Sequence, residues 1–163
     1  MKQSDIPTAL RICAGTDGSV TKLLEVLTNN KVTVKTLHQE VIKATGNTAK
    51  LLMIKQGDPV NHREVLLTVL EKPYVFACSL SPVNNMPQGV RDDLMKADIP
   101  IGRILREHKL ETRRDILKIE IQESKDDIFN NIPVLSREYM IIHNKCILMW
   151  INEHFPVDGR WNV

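Results

Sequence analysis

Two aliphatic runs constrain this chain more than any other feature: Arg63-Glu64-Val65-Leu66-Leu67-Thr68-Val69-Leu70 and Cys146-Ile147-Leu148-Met149-Trp150-Ile151-Asn152-Glu153. Both are β-rich and flanked by turn residues, so both predict buried strands. Each also carries an ionisable group where a buried strand should be apolar, Arg63 opening the first and Glu153 ending the second. A charge beside so much aliphatic surface must be paired, hydrated or used. If the two strands share a sheet, they offer a guanidinium that can clamp a carboxylate and a carboxylate that can move a proton.

The remaining pattern supplies the sheet. Ile6 to Ala14 predicts a helix that stops at Gly15, and Ser19 is placed to cap a second one over Val20 to Thr28, with Leu23, Leu24 and Leu27 on one side. Beyond Asn29-Asn30 the helical period gives way to alternation. Lys31 to Lys35 starts a strand extending towards Ile42, and Leu51 to Lys55 is a further strand candidate before the turn Gly57-Asp58-Pro59. His62 to Leu70 and Tyr74 to Leu80 form a hairpin across Glu71-Lys72-Pro73. After a loop come helices over Gln88 to Lys96 and Ile101 to His108, the second entered through Ile99-Pro100. Thr112 to Gln122 alternates as a half-buried strand, with Leu117, Ile119 and Ile121 opposed by Lys118, Glu120 and Gln122. Asp126 to Asn131 is a short helix or loop, and Ser136 to Ile142 pairs with Cys146 to Phe155 across His143-Asn144-Lys145. The sum is one α+β domain over residues 1–163, a single antiparallel sheet of about six strands with helices on one face or at one end.

Bulk properties exclude several classes of function. With 22 Lys and Arg against 20 Asp and Glu, the charge of +2 gives no electrostatic reason to expect nucleic acid. The apolar runs fall far short of the roughly 20 residues of a membrane helix, and Met1-Lys2-Gln3-Ser4-Asp5 leads into no signal-peptide core. The expected location is the cytoplasm. Cys13, Cys78 and Cys146 are an odd set without CxxC spacing, which argues against a disulfide framework and a zinc site. The five histidines show no HExxH spacing or compact ligand cluster along the chain, so no metal is expected. GxSxG and GxxxxGKS/T motifs are absent too.

The chemistry therefore rests on four places. Arg63 is either an exposed strand-end charge or a bidentate carboxylate receptor. Glu153 shares parity with Ile147, Met149, Ile151 and Phe155, so in a regular strand it projects with apolar side chains. Burial there raises a carboxyl pKa unless a cation or hydrogen bonds offset it; the bland alternative is a strand that has already ended in solvent. Ile99-Pro100-Ile101-Gly102-Arg103 puts a glycine near a helix start, where free amides attract anions, and Asp17-Gly18-Ser19-Val20-Thr21-Lys22 is a second helix start.

At these four places the chain resembles the chorismate pyruvate-lyase family, in its branch of short stand-alone archaeal and bacterial proteins. The resemblance lies in Asp17-Gly18-Ser19-Val20-Thr21-Lys22-Leu23-Leu24-Glu25, Arg63-Glu64-Val65-Leu66-Leu67, Ile99-Pro100-Ile101-Gly102-Arg103-Ile104-Leu105 and Ile151-Asn152-Glu153-His154-Phe155-Pro156. It implies a buried pocket closed by flap-like segments around Val20 and Thr21, and cofactor-free conversion of chorismate to 4-hydroxybenzoate and pyruvate, feeding quinone or related products. By the same resemblance Arg63 receives the ring carboxylate, Glu153 stands near the reacting edge, and backbone near Val20, Thr21, Ile101 and Gly102 completes the substrate site. The expected catalytic residues are Arg63 and Glu153. A second substrate-binding cation of the family falls here at Ser79, with Arg103 and Lys22 as candidate replacements.

A rival reading is a non-catalytic sensing module, because a similar fold serves as the effector domain of winged-helix regulators. The first strand candidate already starts near Lys31, with no basic DNA-reading segment ahead of it, which favours the enzyme. The expected partner is a small-molecule substrate, chorismate, bound by a monomer or homodimer, with no nucleic acid and no membrane.

Overall fold

The computed structural model describes residues 6–96, 98–123 and 127–163. Its frame is a six-stranded antiparallel sheet: β1 (Val32–Lys43), β2 (Pro59–Val69), β3 (Lys72–Pro82), β4 (Arg113–Gln122), β5 (Val134–His143) and β6 (Cys146–Pro156), in spatial order β1-β2-β3-β6-β5-β4. The helices are α1 (Thr8–Gly15), α2 (Val20–Thr28), α3 (Gly46–Leu52), α4 (Gln88–Met95) and α5 (Ile101–Glu107). The expected α+β architecture is what forms.

Alternation drives the layering. Along β2, Val60, Arg63, Val65, Leu67 and Val69 are buried, while His62, Glu64, Leu66 and Thr68 are half-buried. The inner face of the sheet takes Leu10 and Cys13 of α1 and Leu24 of α2 against Val34, Val65, Leu67, Leu135 and Phe155. Further along, Val90 and Leu94 of α4 and Ile104 and Leu105 of α5 pack on Tyr139, Ile141, Met149 and Ile151. Burying a Leu or Ile side chain of this kind contributes about 1.5–3 kcal/mol, so these contacts, not helix propensity, hold such short helices.

Leu51 to Lys55 is not a strand. Thr45 caps a helix by accepting a hydrogen bond from the Thr48 amide at 3.2 Å, and Met53 ends it in the left-handed region at φ 54°. Leu52 is fully buried and Met53 faces solvent, a helical contrast that a four-residue apolar run conceals. Asp126, the expected start of the last short helix, and residues 1–5 lie outside the described residues; a 3-10 turn spans Asp127–Phe129. The two hairpins turn on Leu70-Glu71 and Asn144-Lys145, each pair with positive φ, the twist that suits tight hairpins.

Of four register shifts in the sheet, the one on β3 makes Tyr74 the extra residue, and the other three change which residues face inward near the site or α3. On β1, Thr36 pairs with Val65 and His38 with Glu64, so Leu37 is the extra residue and His38 turns to the outer face. On β4, Ile116 pairs with Tyr139 and Lys118 with Glu138, leaving Leu117 unpaired. On β6, Ile141 faces Met149 and Ile142 faces Ile147, and Ile147 packs with Ala49 and Leu52 of α3 instead of with Met149. At the edge, β4 is more exposed than its alternation predicts, with Leu117, Ile119 and Ile121 between 36% and 49% exposed. Among the described residues no helix is long and apolar enough to cross a membrane.

Candidate functional site

A cavity of about 60 Å³ lies between the inner face of the sheet and the starts of α2 and α5. All six residues singled out from the sequence line it: Val20, Thr21, Arg63, Ile101, Gly102 and Glu153. The two helix starts frame its mouth. Ser19 Oγ accepts from the Lys22 amide at 3.3 Å, and Pro100 offers α5 no side-chain cap. First-turn amides have no intrahelical acceptor, so those of Val20, Thr21, Ile101 and Gly102 remain for other partners.

Arg63 is neither at a strand end nor in solvent. β2 extends back to Pro59, which puts Arg63 mid-strand and 1% exposed. Its Nη2 donates to Thr36 Oγ1 at 3.3 Å and to the Ile99 carbonyl at 3.1 Å, while Nε is buried without a partner. Among the described residues no carboxylate forms an ion pair with it. Burial pulls its pKa below the ordinary guanidinium value, with the charge of Asp98 opposing; an arginine stays protonated regardless. Ser79, its neighbour across β3, uses Oγ to donate to the Arg63 carbonyl at 3.4 Å.

Glu153 also lies inside its strand, 6% exposed. Its partner is a residue the sequence reading passed over. Arg137, opposite it on β5, donates to Glu153 Oε2 from Nε at 3.0 Å and from Nη2 at 2.6 Å. The same guanidinium, fully buried, turns Nη1 to the carbonyls of Cys13, Ala14 and Thr16 and so caps the C-terminus of α1. Tyr139 donates to Glu153 Oε1 at 3.0 Å. Burial, then the Glu153 charge, pushes the Tyr139 phenol far above its ordinary value, so it remains a hydroxyl donor.

Arg137 had a signal in the sequence: it shares parity with Leu135, Tyr139 and Ile141, as Glu153 does with Ile151 and Phe155. Arg114 had none. A bulge-free reading of β4 puts it with Lys118 and Glu120, whereas the bulge at Leu117 turns it inward with Ile116. Arg114 lines the cavity; its Nη1 donates to the Asp17 carbonyl at 3.1 Å and its Nε is buried without a partner. Arg103 and Lys22, the cations expected to stand in at Ser79, do not line the cavity. Both are 63% exposed, Arg103 paired with Glu107 at 3.2 Å and Lys22 with Glu25 at 3.9 Å.

Comparisons with known proteins give the family and the fold. A family model described as "Chorismate pyruvate-lyase Rv2949c-like" matches residues 15–161. "Putative lyase MJ0807" of Methanocaldococcus jannaschii is 37% identical over 162 residues, covering 92% of this chain and 79% of that protein. A chorismate pyruvate-lyase of Mycobacterium leprae is 26% identical over 114 residues, 69% of this chain and 54% of that one. Among solved structures, the effector domain of PhnF from Mycobacterium smegmatis superposes with a TM-score of 0.71 at 14% identity, covering 87% of this chain and 90% of that one.

Proposed function

Because the chain belongs to the Rv2949c-like chorismate pyruvate-lyase family, we propose that it converts chorismate to 4-hydroxybenzoate and pyruvate in this cavity, without a cofactor. The observation that carries the reading is Arg63: a buried guanidinium on the cavity wall, with Nε unpartnered and, among the described residues, no ion pair to a carboxylate. A buried cation in that condition is costly unless an anion completes it, and its planar fork suits a carboxylate. Arg63 receives the ring carboxylate, and Arg114, on the opposite wall, receives the enolpyruvyl carboxylate in place of a cation at Ser79. Amides of Val20, Thr21, Ile101 and Gly102 supply further donors.

In the reaction the bond between the ring and the enolpyruvyl ether oxygen breaks as the adjacent ring carbon loses its proton. The ring becomes aromatic, and the oxygen leaves with the bonding electron pair as an enolate, which takes up one proton on carbon to give pyruvate. Most of the driving force lies in the substrate, so positioning and charge stabilisation are what the protein contributes. Glu153 is the group proposed to handle the ring proton, with Arg137 and Tyr139 fixing its orientation. Substrate enters by separation of the two helix starts that frame the cavity.

Purified protein mixed with chorismate should release pyruvate and 4-hydroxybenzoate in equal amounts. Arg63→Ala and Glu153→Gln should each lose most of that activity; near wild-type rates in both reject the assignment. Arg114→Ala should raise KM for chorismate while leaving inhibition by 4-hydroxybenzoate, which lacks the second carboxylate, largely unchanged. The fold likeness to the PhnF effector domain favours a second reading, a sensing module. Chorismate binding without pyruvate release would establish it over the enzyme.

A further inference from the structure

The outer face of the sheet, opposite the cavity, carries a second cluster of reactive side chains. His38-Gln39-Glu40 on β1 and His62-Arg63-Glu64 on β2 share one spacing, and they run in antiparallel register: His38 across from Glu64, Glu40 across from His62. Alternation puts both ends of each triplet on one face, and Cys78 of β3 lies opposite Glu64. The lack of a compact ligand cluster along the chain is thus a matter of chain spacing, which strand pairing overrides.

Two distances from His62 match the spacing of metal ligands. His62 Nε2 stands 3.3 Å from Glu64 Oε1 and 3.5 Å from Cys78 Sγ. The ligand atoms of His62, Glu64 and Cys78 all lie within 4.8 Å of one another, as do those of His38, Glu40 and His62. With bonds of about 2.0–2.1 Å to nitrogen or oxygen and about 2.3 Å to sulfur, tetrahedral geometry separates neighbouring ligand atoms by about 3.3–3.6 Å.

We propose that His62, Glu64 and Cys78 bind a divalent ion of the zinc class. One imidazole, one carboxylate and one thiolate select such an ion over magnesium or calcium. The fourth position is open to water or to His38, whose ring centroid lies 5.4 Å from that of His62. The metal–sulfur bond forms as the Cys78 thiol gives its proton to solvent, one proton per ion bound, so binding tightens as pH rises. His62 and Glu64 flank Arg63 in sequence and face away from it, so the ion ties β2 to β3 behind the cavity wall. This site stands on sheet geometry alone and is independent of the proposed lyase activity.

The test is a titration of the full, chelator-treated protein with Co²⁺, a spectroscopic stand-in for Zn²⁺, and a separate titration of the metal-free protein with Zn²⁺ in a calorimeter. One equivalent should bind with a thiolate-to-cobalt charge-transfer band, and the heat of Zn²⁺ binding should vary with the buffer as a proton is released. Cys78→Ser should abolish the band, and His62→Ala should weaken binding at least about tenfold. Cys146→Ser, which removes an exposed thiol at the β5–β6 turn, should change neither. Glu64→Gln, which preserves side-chain volume, should also weaken binding and serves if Cys78→Ser fails to fold. No stoichiometric uptake by the wild type, a band surviving in Cys78→Ser, or unaltered affinity in Glu64→Gln would overturn the proposal.

Discussion

Glu153 takes both hydrogen bonds from Arg137 on a single oxygen, Oε2, at 2.6 and 3.0 Å, and Arg63, two strands away, shares in neither. The two charges noticed first in the sequence are therefore not each other's partners. Glu153 is neutralised from within the sheet, while among the described residues the buried Arg63 forms no ion pair, the charge of Asp98 acting on it only from a distance. This asymmetry separates what holds the fold from what is left for a ligand.

If Arg63 is there for a ligand, its removal should harm activity and spare the fold. Arg63→Met should unfold in urea within about 1 kcal/mol of the wild type, since an apolar replacement of a buried charge is often neutral or stabilising. Its kcat/KM for chorismate should fall at least about a hundredfold. A loss of several kcal/mol in the unfolding experiment would instead make the guanidinium structural.

Arg137 should show the opposite balance. Arg137→Met strips Glu153 of its cation and leaves the α1 carbonyls uncapped, so it should cost about 3–5 kcal/mol. Adding Glu153→Met should cost about 2 kcal/mol less than the sum of the single changes, because the second substitution removes the charge the first one stranded. Additive urea-unfolding energies would contradict a coupled pair.

Gly102 tests the mouth of the cavity. A Cβ there would stand 3.1 Å from Ser19 Oγ and 3.6 Å from Ser19 Cβ, tight enough to press the start of α5 against that of α2. Gly102→Val should weaken 4-hydroxybenzoate binding by about tenfold or more, with Gly102→Ala intermediate, and isothermal titration would measure both. Equal affinities for the three proteins would mean that the mouth is not where ligand binds.

Alkaline stability should report Cys13, which is fully buried. Burial pushes its thiol up from 9.0 to about 11, with Arg137 opposing and Glu153 adding. The unfolded chain loses this proton first, so between those values the folded state holds more protons and stability falls as pH rises. The contribution is complete below pH 9.0 and gone above about 11. Urea midpoints measured across that range should decline, and Cys13→Ala should flatten part of the decline, leaving the share due to Cys78, whose thiol burial also raises to about 11. A slope identical in Cys13→Ala would exclude this origin.

Sequence reading reaches most of the sheet and part of the candidate site, and its failures have separate causes. Strands with unbroken alternation were legible, among them β2, where Arg63 sits among buried Val65 and Leu67. Glu153 was legible for the same reason. Arg114 was hidden because the bulge at Leu117 shifts parity, and no local residue pattern announces a bulge. Leu51 to Lys55 reads as a strand because a short apolar run fits a strand as well as the last turn of a helix. Arg137 is the exception: its parity with Leu135 and Tyr139 was readable, and attention to the two longest aliphatic runs alone missed it.

The bulge at Leu37 gives β1 a spare residue. Thr36 and His38 already sit on opposite faces and pair with consecutive residues of β2, Val65 and Glu64. Deleting Leu37 would restore an unbroken ladder without moving either neighbour to the wrong side. Deleting a residue from the regular part of the strand would invert the side chains on one side of the cut, sending Thr36 away from Arg63 or His38 into the cavity. Among single-residue deletions in β1, the strand's inheritance of two separate chemistries, one per face, therefore survives loss at Leu37 best, and chain-length variation in relatives should concentrate there.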